Sequence, residues 1–235
     1  MSSSPLARRS FLSQVGTGVT TAVGASLAGG VALQAQSASN GRRQATRHPQ
    51  DEWLDKIPGQ HHFLMDTTTP DGFGSAILYA NNFLTANQNA YGLKDSDSAV
   101  VIVARHLSTV FAYNDTIWAK YGAGFSQRLN FLDSQTKQAP KINVYNSAAH
   151  VATLPSFNNT LDSVLKRGVH LAVCQMATRF FAMGIAEATG GNADTIYNEL
   201  ASNVVGGTAN AHMVPAGIVA VSRAQEHGYT FAAVG

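Results

Sequence analysis

The run "SAVVIVARH", Ser98 to His106, places the strongest constraint on how this chain can fold. Val and Ile dominate it without alternating with polar residues, which predicts a strand covered on both faces, as in a parallel sheet. A second apolar run, Val169 to Cys174, passes directly into a helical pattern. Because parallel strands need long crossover connections, usually helices, we expect strands and helices to alternate along the chain.

The rest of the chain supplies the other elements of such a fold. A short strand is expected at Phe63 to Met65, followed by an amphipathic helix that ends near Gly92. Further helices are predicted around 114–121, 160–168, 175–188 and 190–203, and the segment 211–234 closes the chain as strand, helix and strand. In that last helix, Ile218, Val219 and Val221 should face the core. We therefore predict an α/β fold in three layers, α/β/α, with a mostly parallel five-stranded sheet.

Two stretches do not follow the alternating pattern. Residues 39–60 are polar, charged and interrupted by Pro49 and Pro58, which indicates a linker or an arm on the surface. The domain itself is expected to cover 61–235. Within it, residues 122–156 show little periodicity, so this insertion is either a functional lid or secondary structure that the pattern does not reveal.

The N-terminus resembles a twin-arginine export signal. In "ARRSFLSQV", Arg8 and Arg9 precede Ser10 and Phe11, and a weakly apolar stretch rich in Gly, Ala and Thr follows. We interpret residues 1–38 as a signal peptide that is removed on export, which predicts a periplasmic mature protein without a stable membrane span. Cargo of this route folds before it is exported.

Composition excludes several classes of function. The chain has 16 Lys and Arg against 14 Asp and Glu, and removal of Arg8 and Arg9 with the signal leaves 14 basic against 14 acidic residues. This balance gives no basic surface for nucleic acid. Cys174 is the only cysteine, so an internal disulfide and a cysteine-rich metal site are excluded. The glycine-rich stretches match neither GxGxxG nor a P-loop.

Cys174 is the main candidate for chemistry. It ends a predicted strand and begins a helix, where backbone amides and the helix dipole favour thiolate over thiol. The alternative is that Cys174 simply packs in the core, as free cysteines often do. His106 also ends a strand and could act as a base for the thiol. Arg179, five residues after the cysteine, either lies near the thiolate or is solvated.

Histidines offer a second class of site. His106 and His212 both flank predicted strand ends and are the metal-ligand candidates, but neither belongs to a recognised metal-binding motif. The adjacent pair His61 and His62 would point in opposite directions on an extended segment. We predict no cofactor, and the sequence leaves a metal or haem site open.

Two C-terminal segments, "GVHLAVCQMATRFFAMGI" and "MVPAGIVAVSRAQEHGYTFAAV", resemble the DsrE/DsrF-like family. The order of elements follows that family from Phe63 to Val234. The resemblance implies a five-stranded α/β/α domain that forms homo-oligomers. In the sulfur-relay members, the cysteine that matches Cys174 carries sulfur as a persulfide and exchanges it with donor or acceptor proteins.

Two hypotheses follow. In the first, an exported DsrE-like protein handles sulfur or thiol redox chemistry through Cys174, as a carrier more than as a multi-turnover enzyme. In the second, the protein is an oligomeric module that binds a small ligand or a metal without catalysis, and Cys174 only lines the pocket. A reactive thiol supports the first hypothesis, and an inert thiol beside a bound ligand supports the second.

The export signal can be tested by replacing Arg8 and Arg9 with Lys. Because the twin-arginine route requires the Arg pair, the double variant should accumulate as an unprocessed precursor in the cytoplasm, measured by cell fractionation and immunoblotting. A matched control replaces Arg42 and Arg43, an equivalent pair outside the signal, and should be processed normally. Normal export of the first variant would contradict the twin-arginine interpretation.

Overall fold

A computed structural model of the protein describes residues 45–235. The predicted signal peptide, 1–38, and the start of the predicted linker lie outside the described residues. Within residues 45–235, no helix combines the length and the apolar character needed to cross a membrane.

Five strands and eight α-helices make up the described part of the chain. The strands are β1 (His61–Thr67), β2 (Ser98–Ala104), β3 (His170–Cys174), β4 (Ala211–Val214) and β5 (Thr230–Val234). The helices are α1 (Trp53–Lys56), α2 (Pro70–Tyr91), α3 (Asp115–Leu129), α4 (Leu161–Lys166), α5 (Gln175–Thr189), α6 (Ala193–Ser202), α7 (Gly207–Asn210) and α8 (Gly217–Glu226).

The strands form one sheet in the order β4-β3-β2-β1-β5, and every pair is parallel. Helices α2, α3 and α5 contribute to the core on one face, whereas α1 and α8 cover the other. This architecture confirms the predicted three-layer α/β/α fold with a five-stranded sheet.

Strand β2 lies at the centre of this sheet, and all of its residues are buried. Val100 and Ile102 face the larger core with α2 and α3, while Val101 and Val103 face the smaller core with α1 and α8. Burial on both faces explains why the strand reads as a continuous apolar run. Helix α2 ends where predicted, because Gly92 adopts φ 69°, a left-handed conformation that stops a helix.

The insertion at 122–156 is partly helical. Helix α3 continues to Leu129 instead of ending near 121, so the prediction for its end was wrong. The residues after it form an irregular segment with short 3₁₀ turns. The buried Asn143 orders this segment by donating from Nδ2 to the carbonyls of Phe111 and Tyr113 at 2.7 and 2.8 Å. None of 130–156 lines the cleft described below.

The stretch predicted as a linker or arm contains helix α1 in its described part. Leu54 is 1% exposed and clusters with Val221 and Ala224 of α8. The Tyr229 hydroxyl donates to the Leu54 carbonyl at 2.8 Å, which ties the arm to the entry of β5. Apolar burial and this hydrogen bond hold α1 on the sheet's second face.

Helix α8 differs from the prediction in its buried side. Ile218 and Val219 are 58% and 42% exposed, so the expectation that both face the core was wrong. The helix begins at Gly217, and its buried positions are Gly217, Ala220, Val221 and Ala224. This spacing of three to four residues turns Ile218 and Val219 towards solvent.

Leu54 provides a test of the packing of α1. Leu54→Ala should lower the free energy of unfolding by about 2–3 kcal/mol, because it removes apolar contacts and leaves a cavity. Leu132, 55% exposed, is the matched control, since the same substitution there should change stability by less than about 0.5 kcal/mol. Urea denaturation measures both values. Equal effects of the two substitutions would show that α1 does not pack as described.

Candidate functional site

A cleft of about 480 Å³ opens at the carboxyl edge of the sheet. Parallel strands end at this edge and the helices that follow them begin there, which is where α/β folds usually bind ligands. The cleft lies between the end of β2, the start of α5 and the start of α8. Its lining residues are Arg105, His106, Leu107, Arg128, Cys174, Met176, Ala177, Phe180, Phe181, Ala216, Gly217 and Ile218.

Cys174 lines this cleft as the N-cap residue of α5. Its Sγ accepts a hydrogen bond from the Ala177 backbone N–H at 3.4 Å. The residue is 6% exposed, so only a molecule that enters the cleft can reach the sulfur. A donated amide hydrogen bond and the positive end of the helix dipole both stabilise a sulfur anion. The strand-to-helix junction therefore places the thiol as the sequence predicted.

The backbone of Cys174 is held by a buried hydrogen-bonded chain. The Thr178 hydroxyl donates to the Cys174 carbonyl at 2.9 Å, and the Tyr113 hydroxyl donates to Thr178 Oγ1 at 2.9 Å. Burial raises the pKa of Tyr113 above its ordinary range, so its hydroxyl keeps the proton that it donates. Because Tyr113 and Thr178 are both fully buried, this chain fixes the first turn of α5.

Arg105 is a cation of the site that the sequence analysis did not select. Its Nε and Nη2 donate to the two carboxylate oxygens of the buried Asp66 at 2.6 and 2.7 Å. The pKa of Arg105 is raised, chiefly by the hydrogen bonds to Asp66. The sequence did contain a signal for this pair, because Asp66 and Arg105 each stand at or near the end of an apolar strand. Asp66 orients the guanidinium and neutralises most of its charge.

His106 lines the same cleft, as expected of a residue at a strand end. It has φ 56°, a left-handed conformation that costs energy for a residue with a side chain. Hydrogen bonds hold the turn: the Arg105 N–H donates to Ser108 Oγ at 3.0 Å and the Leu107 N–H to the Thr68 carbonyl at 3.1 Å. Among the described residues, however, the His106 ring has no hydrogen bond to Cys174, so the two do not form a thiolate–imidazole pair.

Arg179 does not line the cleft. It forms an ion pair with Asp194 at 3.5 Å, and its guanidinium lies 4.0 Å from the centroid of the Tyr197 ring. Five residues along an α-helix rotate a side chain by about 140° from the starting position, which explains why Arg179 points away from Cys174. The cations of the cleft are Arg105 and Arg128 instead.

The metal-ligand candidates His106 and His212 are not brought together. His212 lies on β4 outside the cleft, where its Nε2 is 3.0 Å from His170 Nδ1 and its ring stacks on Trp53 at 4.1 Å. His61 is exposed, and the His62 ring bonds to the Gly59 carbonyl. Residues 45–235 contain no cluster of three or more His, Cys, Asp or Glu suited to a metal ion.

The His170–His212 pair predicts an acid-sensitive stability. Burial, and then repulsion from His170, lower the pKa of His212 to about 4. Its neutral form therefore contributes stability that is present above pH 6.5 and is lost as the pH falls from 6.5 towards 4. Urea denaturation across this range should show a smaller acid loss in His212→Gln than in the parent. His61→Gln is the exposed control, and an unchanged pH profile in His212→Gln would contradict the prediction.

Comparison with known proteins provides no relative whose function could be transferred to the cleft. No family model matches the chain, and no curated protein or solved structure matches it either. The chemistry of the protein must therefore be inferred from the cleft itself.

Proposed function

We propose that this protein is an exported sulfur carrier that holds sulfur on Cys174 as a persulfide. The observation that carries the proposal is the position of Sγ, which accepts the Ala177 amide hydrogen and at the same time lines a cleft open to ligands. A cysteine that only fills space in the core needs neither a hydrogen bond to its sulfur nor access to a cleft. The DsrE-like sequence resemblance supports the same role.

The proposed step is a transfer of sulfane sulfur. The Cys174 thiolate attacks the terminal sulfur of a donor persulfide, R–S–SH, so that a new S–S bond forms on Cys174 and the donor S–S bond breaks. The products are Cys174–S–SH and the thiolate R–S⁻, and no external oxidant is needed. The Ala177 amide and the N-terminal end of α5 stabilise the Cys174 thiolate that makes this attack.

The surroundings of Cys174 favour a carrier over a multi-turnover enzyme. His106 makes no hydrogen bond to Cys174, so the described residues provide no positioned base for repeated proton transfer. The cleft of about 480 Å³ leaves room for a second sulfur atom and for the donor or acceptor that exchanges it. An acceptor thiolate would remove the sulfur by the reverse of the loading step.

An oligomeric assembly in the periplasm completes the proposal. Met176, Phe180 and Met183 are 68%, 49% and 64% exposed and follow one another at i, i+4 and i+7 on α5. Such a stripe of exposed apolar side chains is typical of a surface that another copy or a partner covers. Met183 lies outside the cleft, so a second copy packed against that end of the stripe leaves Met176 and Phe180 open to small molecules. In this way the stripe supports the homo-oligomer that the family resemblance implies.

The second candidate function is ligand binding without chemistry at sulfur. It is favoured by the burial of Cys174, which is 6% exposed, and by the apolar side chains around it. In that case the thiol is one of the groups that line a small-molecule site, and binding does not require it to ionise. Reactivity of the thiol in the folded protein separates the two functions.

Persulfidation of Cys174 tests the carrier role. The purified protein, treated with a small alkyl persulfide and passed through a desalting column, should gain the mass of one sulfur atom in intact-mass spectrometry. Cys174→Ser should gain none, yet keep its melting temperature, because Ser is a good N-cap for α5.

Two results would contradict the carrier role. One is a thiol that accepts sulfur only after the protein is unfolded, since Cys174 would then be a packing residue. The other is an equal mass gain in Cys174→Ser, which would place the added sulfur elsewhere.

A further inference from the structure

The cleft around Cys174 has an apolar wall that the sulfur transfer itself does not require. Met176, Phe180 and Ile218 line it, and they are 68%, 49% and 58% exposed. Covering such side chains with an apolar ligand removes them from water, which favours binding. The wall therefore favours a molecule with an apolar body next to the sulfur.

Arg128 adds a positive charge to the same cleft. Its guanidinium lies 4.0 Å from the centroid of the Phe180 ring. Within residues 45–235 it forms no ion pair, whereas Arg105 is paired with Asp66 and Arg179 with Asp194. Because the charge of Arg105 is already neutralised, Arg128 is the cation left to meet an anionic ligand.

The dimensions of the cleft fit a small molecule. Its volume of about 480 Å³ lies within the range of about 300–1,000 Å³ that is usual for small-molecule sites. Cys174 is 6% exposed in the cleft wall, so a cysteine on a flat protein surface cannot approach it closely.

From these features we infer that Cys174 exchanges sulfur with a small organic anion: a persulfide whose body is apolar and carries a carboxylate or sulfonate. The apolar body lies against Phe180 and Ile218, and the anionic group pairs with Arg128. This inference rests on the proposed carrier function and names its substrate class. The anionic group takes no part in the bond changes, since the donor S–S bond breaks and R–S⁻ leaves with its carboxylate intact.

Methanethiosulfonate reagents test this inference, because Cys174 is the only thiol in the chain. The thiolate attacks the sulfur that carries R, a mixed disulfide forms, and methanesulfinate leaves. Four reagents separate charge from apolar character: benzyl, 4-carboxybenzyl, 2-sulfonatoethyl and 2-(trimethylammonio)ethyl. Each rate constant, measured by intact mass, is divided by the rate for the same protein unfolded in urea, which cancels the intrinsic reactivity of the reagent.

The expected order in the folded protein has 4-carboxybenzyl first, ahead of both benzyl and the small anion, with the cation last. Arg128→Ala should slow the 4-carboxybenzyl reagent by about fivefold, as loss of one partly exposed ion pair predicts. It should change the benzyl rate by less than twofold. Arg128→Lys should keep a large part of the preference for anions, because it keeps the charge.

Arg179→Ala is the matched control, since Arg179 is on α5 but outside the cleft, and it should leave all four relative rates unchanged. Equal relative rates for the four reagents, or equal slowing of all four by Arg128→Ala, would overturn the inference while a persulfide on Cys174 still supported the carrier function. If no reagent reacts before the protein unfolds, the carrier function and the inference both fail.

Discussion

Parallel pairing of all five strands is the constraint on which the rest of the structure depends. It directs every strand end to one edge of the sheet, and it requires helices on both faces to cover the central strands. Helix α5 starts at this edge from one face and α8 starts there from the other. The cleft is the space that these two helix starts leave above the end of β2, so the position of the thiol follows from the topology.

Two buried polar pairs then hold the groups around the thiol in defined positions. The Asp66–Arg105 pair bridges the ends of β1 and β2, and the Thr178–Tyr113 pair holds the carbonyl of Cys174. Each of these side chains is largely buried, and a buried polar group without a hydrogen-bond partner costs free energy. Within each pair, the partners satisfy each other's hydrogen bonds and so avoid that cost. The hydrogen bonds around Ser108 also hold His106 in its left-handed conformation beside the cleft. These hydrogen bonds thus hold the backbone at the end of β2 and at the start of α5, the two elements that present His106 and Cys174 to the cleft.

The sequence predicted the parts of the fold that rest on apolar periodicity. The buried strands, their order along the chain and the placement of Cys174 between β3 and α5 all follow from it. The segment after α3 did not, because Asn143 orders it by hydrogen bonds to backbone carbonyls and not by a repeating apolar face. The sequence pattern also missed the last two turns of α3, and this affected the site. With α3 predicted to end near 121, Arg128 fell in an apparent loop, and Arg179 was considered as the cation near the thiol instead.

Burial of the thiol suits the periplasmic location that we propose for this protein. Bacterial periplasm is oxidising, and a lone exposed cysteine there would form mixed disulfides with other proteins. At 6% exposure, Cys174 is shielded from large partners, yet the cleft of about 480 Å³ admits small ones. In the proposed carrier, the same wall that excludes protein thiols also selects small molecules, because an apolar body displaces water from Phe180 and Ile218. Under this proposal, one arrangement accounts for both the selectivity and the protection of the sulfur: α5 begins in a recess, beside exposed apolar side chains and Arg128.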